Sequence, residues 1–163
     1  MGHTDELLAN NARFVDGFDA GRLDVKPSRR LSVVACMDSR LDVFGALGLG
    51  LGEAHVIRNA GGIVSDDVIR SLTISQRHLG TREIVVIQHT DCGMTKITDD
   101  GFRAELQAAT GIAPRFAIES FRDLDANVRQ SLERLRSSPF LAHTDLIRGF
   151  VYDVDTGALR EVS

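Results

Sequence analysis

Cys36 and Cys92 are the only cysteines in the chain, and both lie just past a short β-branched apolar run. Cys36 follows Leu31-Ser32-Val33-Val34-Ala35 and opens the segment Cys36-Met37-Asp38-Ser39-Arg40. Cys92 belongs to His89-Thr90-Asp91-Cys92-Gly93, which follows Ile84-Val85-Val86-Ile87. Two thiols and an imidazole are ligand types that zinc accepts, and three protein ligands with one open position is the pattern of a catalytic rather than a structural ion. His89 and Cys92 are three residues apart, so one turn can aim both at a single ion, while Cys36 arrives from a separate strand. Burial as an ordinary apolar residue would explain either cysteine alone. It does not explain two cysteines and a histidine all placed at strand ends.

Asp38 and Arg40 stand beside the first thiol. Asp38 is read either as a fourth zinc ligand or as an acceptor for a metal-bound water. Arg40, through a bidentate ion pair, decides between those states. The plainer alternative is a salt bridge that only shapes the loop. Two thiolates cancel the formal charge of Zn²⁺, so a water bound there should be less acidic than on zinc held by three neutral histidines. Activity is therefore expected to rise toward alkaline pH.

These residues need a scaffold that brings separate strand ends together. Residues 31–35, 55–58, 83–88 and 146–154 read as strands, and residues 158–162 return after Asp155-Thr156-Gly157 as a hairpin. Leu7, Leu8, Phe14, Val15 and Phe18 predict an amphipathic N-terminal helix, and residues 42–47 a short one. Ser65 caps a helix with Asp66 and Asp67 at its positive end, an apolar face running to Leu79, and Gly80 as its stop. Residues 102–135 read as helical, with an interruption around Gly111 and Pro114. The alternation predicts an α/β fold: a mainly parallel β-sheet with helices on both faces and a C-terminal antiparallel edge hairpin. Ligands bind such sheets beyond the carboxyl ends of the strands. That is where Cys36–Arg40, Arg58–Gly62 and His89–Gly93 all fall.

The length of 163 residues suits a single domain, 1–163. A net charge of -4 gives no reason to expect nucleic acid. No apolar stretch has membrane-spanning length, and the N-terminus lacks the basic and apolar parts of a signal peptide, so a cytoplasmic location is expected. In a reducing compartment a metal or catalytic role suits two cysteines better than a disulfide.

At Cys36-Met37-Asp38-Ser39-Arg40, Arg58-Asn59-Ala60-Gly61-Gly62 and His89-Thr90-Asp91-Cys92-Gly93 the chain resembles the β-class carbonic anhydrases. The ending Gly149-Phe150-Val151-Tyr152-Asp153-Val154-Asp155-Thr156-Gly157 is similar to the family's terminal hairpin. The likeness runs over nearly the whole chain. It is to the short, single-domain prokaryotic forms, mycobacterial ones among them. It implies one zinc per chain on Cys36, His89 and Cys92, with Asp38 as a fourth ligand in the closed form that some members adopt. It implies reversible hydration of carbon dioxide to bicarbonate and a proton by zinc-bound hydroxide. Asp38 and Arg40 match the family's aspartate–arginine dyad. The resemblance also implies a homodimer or tetramer, with the N-terminal arm (residues 1–25) lying over the partner. The alternative is that Phe14, Val15 and Phe18 cover their own sheet.

The sequence departs from the family pattern in places. Gln88 stands where a glycine usually precedes the zinc histidine, so local adjustment is expected there. Met37 and Met94 replace smaller residues. The chain has no Trp, and Val33 occupies the place of the Trp used by members with an inhibitory bicarbonate site, which argues against that site here. His55, His78 and His143 are the histidines considered for a proton shuttle, and none has a placement that recommends it.

Three rival functions use the same residues. Carbon disulfide hydrolases resemble this pattern and share its ligands, differing in access to the site. A closed site of Cys36, Asp38, His89 and Cys92 would be structural or sensing. A thiol redox role is disfavoured because no Cys-x-x-Cys pair is present. The spaced glycines at 48, 50 and 52 do not make a dinucleotide site, because they neither follow a strand directly nor open a convincing helix.

Overall fold

In a computed structural model of the chain, residues 2–19 and 21–163 are described. Strands β1 (Leu31–Cys36), β2 (Ala54–Asn59), β3 (Glu83–His89), β4 (Ile147–Tyr152) and β5 (Leu159–Val162) form one sheet in the order β2-β1-β3-β4-β5. The first four are mutually parallel, and β5 pairs antiparallel with β4. This is the mainly parallel sheet with an antiparallel edge hairpin that the sequence predicts.

Helices α1 (His3–Asp16), α2 (Val43–Leu47), α3 (Asp66–Arg77), α4 (Asp99–Thr110) and α5 (Leu124–Arg136) complete the chain. Strand side chains alternate between two cores. Val34, Ile84, Val86, Ile147 and Val151 point to the face carrying Val68 and Leu72 of α3 and Val128, Leu132 and Leu135 of α5. Val33, Ala35 and Ile87 point to the other face, with Val43 and Leu47 of α2 and the loop residues Leu41 and Phe121. Helices thus lie on both faces, α3 and α5 on one and α2 on the other. At Gly149 of β4, α5 packs directly on the strand backbone. A Cβ there would lie 2.5 Å from Val128 Cγ1.

Capping defines the boundaries. The side chain of Ser65 accepts from the Val68 amide at the start of α3, as predicted. The helix ends at Arg77 rather than running to Leu79, with Gly80 at φ +75° three residues on. The expected helical stretch 102–135 is two helices. Thr98 caps α4, Gly111 ends it at φ +76°, and Asp123 caps α5. The break is therefore wider than Gly111 and Pro114 alone suggest.

The N-terminal arm expected over residues 1–25 contains α1, while Met1 and Ala20 fall outside the described residues. No residue of α1 is buried. Leu7, Leu8, Phe14, Val15 and Phe18 are all exposed, Phe14 at 62%. They do not cover their own sheet.

Candidate metal centre

Strands β1 and β3 are parallel neighbours in register Ala35↔Ile87, so Cys36 and His89 leave the sheet at the same end. Asp91 then takes a left-handed backbone (φ 53°), and the chain turns to bring Cys92 back beside them. The ligand atoms of Cys36, His89 and Cys92 lie within 4.8 Å of one another, and all three residues are buried. The three residues singled out in the sequence converge on one point.

The hydrogen bonds at this point leave a position for an ion. His89 Nδ1 donates to the Thr90 carbonyl at 2.8 Å, which fixes the tautomer. His89 Nε2 is then a buried nitrogen with no hydrogen-bond partner among the described residues. An unpaired ring nitrogen in the interior costs free energy unless something coordinates it. Two thiols and this nitrogen form the donor set that suits zinc.

The thiols are already unequal. A hydrogen bond from Cys92 holds the Cys36 thiol well below its ordinary value, more strongly than burial raises it, and the amides of Asp38 and Gly61 add to the effect. Cys92, as the donor to Cys36 and a buried group, is pushed far up. Thiolate is the form in which a sulfur binds a metal.

Asp38 lies beside this set but outside the group of atoms within 4.8 Å. Its Oδ2 is 3.6 Å from His89 Nε2. Arg40 Nε donates to Asp38 Oδ1 at 3.0 Å and Arg40 Nη2 donates to Oδ2 at 2.8 Å, a bidentate pair. The Arg40 side chain and its amide keep the Asp38 carboxyl well below the usual carboxylate range.

The partners of several residues in these motifs are not evident from the sequence. Arg40 Nη1 also donates to Asp91 Oδ2 at 2.9 Å, and Lys96 Nζ lies 2.6 Å from Asp91 Oδ1. Arg58 Nε and Nη2 donate to the carbonyls of Cys36 (2.8 Å) and Asp38 (2.7 Å), fastening the loop after β1 to β2. The sequence places Asp91 in the His89–Gly93 motif and Arg58 at a strand end, whereas Lys96 stands outside both motifs. Gln88 finds room on the opposite face of the sheet, where its Nε2 donates to Asn127 Oδ1 of α5 at 2.7 Å. Its side chain thus avoids the site. His55 bonds Ser75 of α3, and His143 lines a cleft with Arg30 and Arg82, while His78 caps the far end of α3. None of the three belongs to the cluster.

Comparison with known proteins agrees with this geometry. The profile of the carbonic anhydrase family matches residues 31–159. The chain is 55% identical over 160 residues to beta-carbonic anhydrase 1 of Mycobacterium tuberculosis, covering 98% of both. It is 37% identical to a carbon disulfide hydrolase of Saccharolobus solfataricus, covering 82% of this chain and 77% of that one. The crystal structure of carbonic anhydrase from Streptococcus mutans superposes with a TM-score of 0.94 at 44% identity, covering 100% of this chain and 99% of that one.

Proposed function

The chain belongs to the β-class carbonic anhydrase family, and from that premise we propose how its own residues carry out the reversible hydration of carbon dioxide. The enzyme is a zinc-dependent lyase, with Cys36, His89 and Cys92 as the ligands in this reading. Bound there, zinc would supply Lewis acidity that lowers the pKa of a water toward neutrality. The protein supplies the rest. The Nδ1–H bond to Thr90 keeps His89 Nε2 free to coordinate, and the Cys36 thiol, held below its ordinary value by Cys92, is disposed to ionise. Asp38, kept ionised by Arg40, can only accept hydrogen bonds. Its Oδ2, 3.6 Å from His89 Nε2, is placed to accept one from the reacting water and so turn a lone pair toward carbon dioxide. The bidentate grip of Arg40 favours this role for Asp38 over a permanent fourth ligand.

The single observation that carries this reading is the buried His89 Nε2, without a hydrogen-bond partner among the described residues, beside two buried thiols. Stopped-flow hydration of carbon dioxide on protein of measured zinc content tests it. Cys92→Ala should lose both the metal and the activity, and turnover surviving in that variant would refute the ligand set. The higher identity to the mycobacterial enzyme favours carbon dioxide over carbon disulfide as substrate. Parallel turnover of the two separates them.

The exposed apolar residues of α1 support a homodimer in which this helix lies on a second copy. Two free thiols support a reducing, cytoplasmic location. Among the described residues no helix is long and apolar enough to cross a membrane.

A further inference from the structure

Arg40 uses both edges of its guanidinium. One edge, Nε and Nη2, holds the Asp38 carboxylate. The other faces the loop after β3, where Nη1 donates to Asp91 Oδ2 at 2.9 Å and Nη2 donates to the Asp91 carbonyl at 3.1 Å. Asp38 and Arg40 are only two residues apart, so their pair forms within a single loop and could move as a unit. Among the described residues, Asp91 is the only one through which Arg40 bonds the loop that carries His89 and Cys92. Lys96 Nζ, 2.6 Å from Asp91 Oδ1, takes the second carboxylate oxygen and leaves Oδ2 for Arg40. The left-handed backbone at Asp91 aims its carbonyl and its carboxylate at the same guanidinium.

We propose that Asp91, braced by Lys96, is a positioning residue that fixes the Asp38–Arg40 pair against the His89–Cys92 loop and so keeps the Asp38 carboxylate from closing on the metal. The inference rests on the zinc reading of Cys36, His89 and Cys92. Without Asp91, no hydrogen bond from the second loop among the described residues opposes movement of the pair toward His89 Nε2, which is 3.6 Å from Asp38 Oδ2 as it stands. The pair would swing as one body, and the carboxylate would compete for the open position.

The test reads site access directly. Wild type, Asp91→Asn, Asp38→Ala and the double variant are stripped of metal, reloaded with Co²⁺, and titrated with thiocyanate while the visible d–d absorption is followed. Asn tolerates the left-handed backbone, so Asp91→Asn removes the charge and spares the turn. Asp91→Asn should bind thiocyanate about tenfold more weakly, the factor expected from losing one charge-assisted hydrogen bond. Simple charge removal predicts the opposite, because an anion binds more easily once a nearby carboxylate is gone. In the Asp38→Ala background the Asp91→Asn change should weaken nothing, since no carboxylate is left to close the site. Unchanged or tighter binding in Asp91→Asn overturns the inference. So does the same weakening with and without Asp38, which would mean a general disturbance of the loop. Wild-type protein that takes up no Co²⁺ would instead sink the metal reading itself, so the two failures are distinguishable.

Discussion

Gly62 sits directly behind Cys36. A Cβ at this position would lie 2.8 Å from the Cys36 amide nitrogen and 2.8 Å from the Ile87 carbonyl oxygen. Both are backbone atoms of adjacent strands and cannot yield as a flexible side chain could. The backbone at Gly62 is also left-handed, with φ +62°. Gly62→Ala should therefore separate the turn from the strand end that presents the first thiol. It should cost about 1–3 kcal/mol in urea denaturation, the range of overpacked interiors. Zinc retention should fall with it. A variant with full metal content and an unchanged midpoint would show that the turn is not seated as described.

Two sulfur ligands neutralise most of the charge a zinc ion brings, which weakens its pull on the protons of water. The hydration rate should accordingly rise from mildly acid toward alkaline pH. Asp38 does not set this rise, because Arg40 keeps it ionised well below the ordinary carboxylate value. Stopped-flow traces in matched buffers give the profile. A rate that stays flat from acid to alkaline conditions would contradict the two-thiolate donor set.

Asp99 at the start of α4 accepts from the Ser120 hydroxyl and the Ser120 amide (2.8 Å), and these bonds lower its pKa. A lowered folded value means stability that is present above the unfolded value near 3.8 and lost as pH falls through the folded value. Ser120→Ala removes the hydroxyl and should destabilise the protein at pH 7 by about 1 kcal/mol. The difference from wild type should shrink as the pH is lowered past the carboxylate range. Urea midpoints measured at neutral and acid pH check the sign, and a gap that widens in acid would reverse it.

Phe14 and Phe18 stack at 5.3 Å between ring centroids while both remain exposed to solvent. If a second copy covers them, replacing both by Asp should convert dimers into monomers in sedimentation at micromolar concentration. Wild type that sediments as a monomer under the same conditions would remove the case for a dimer through this helix.

The strands were legible because their residues state both burial and limits. Val33-Val34-Ala35 and Ile84-Val85-Val86-Ile87 are β-branched runs bounded by polar residues, and they form the centre of β1 and β3. The end of α3 was less legible, because Leu79 continues the apolar spacing although the helix stops at Arg77. The meeting of Cys36, His89 and Cys92 could be anticipated from residue type and strand-end position. The partners of Arg40 could not, since the bond from Arg40 to Asp91 joins residues 51 apart and exists only once β1 and β3 lie side by side. Gln88 shows the same limit. Its identity announced a departure beside His89, but only the pleat of β3 sends its side chain to Asn127 on the far face.

The sulfur of Cys36 and the donors of the His89–Cys92 turn belong to neighbouring strands whose connection runs through β2 and α3. An ion gripping both ends therefore acts as a removable cross-link, closing a long loop of chain much as a disulfide would. Chelation severs that link without breaking a covalent bond. An ion held there would stabilise the folded chain as well as supply reactivity, so a cell poor in zinc would have fewer folded molecules as well as fewer active ones.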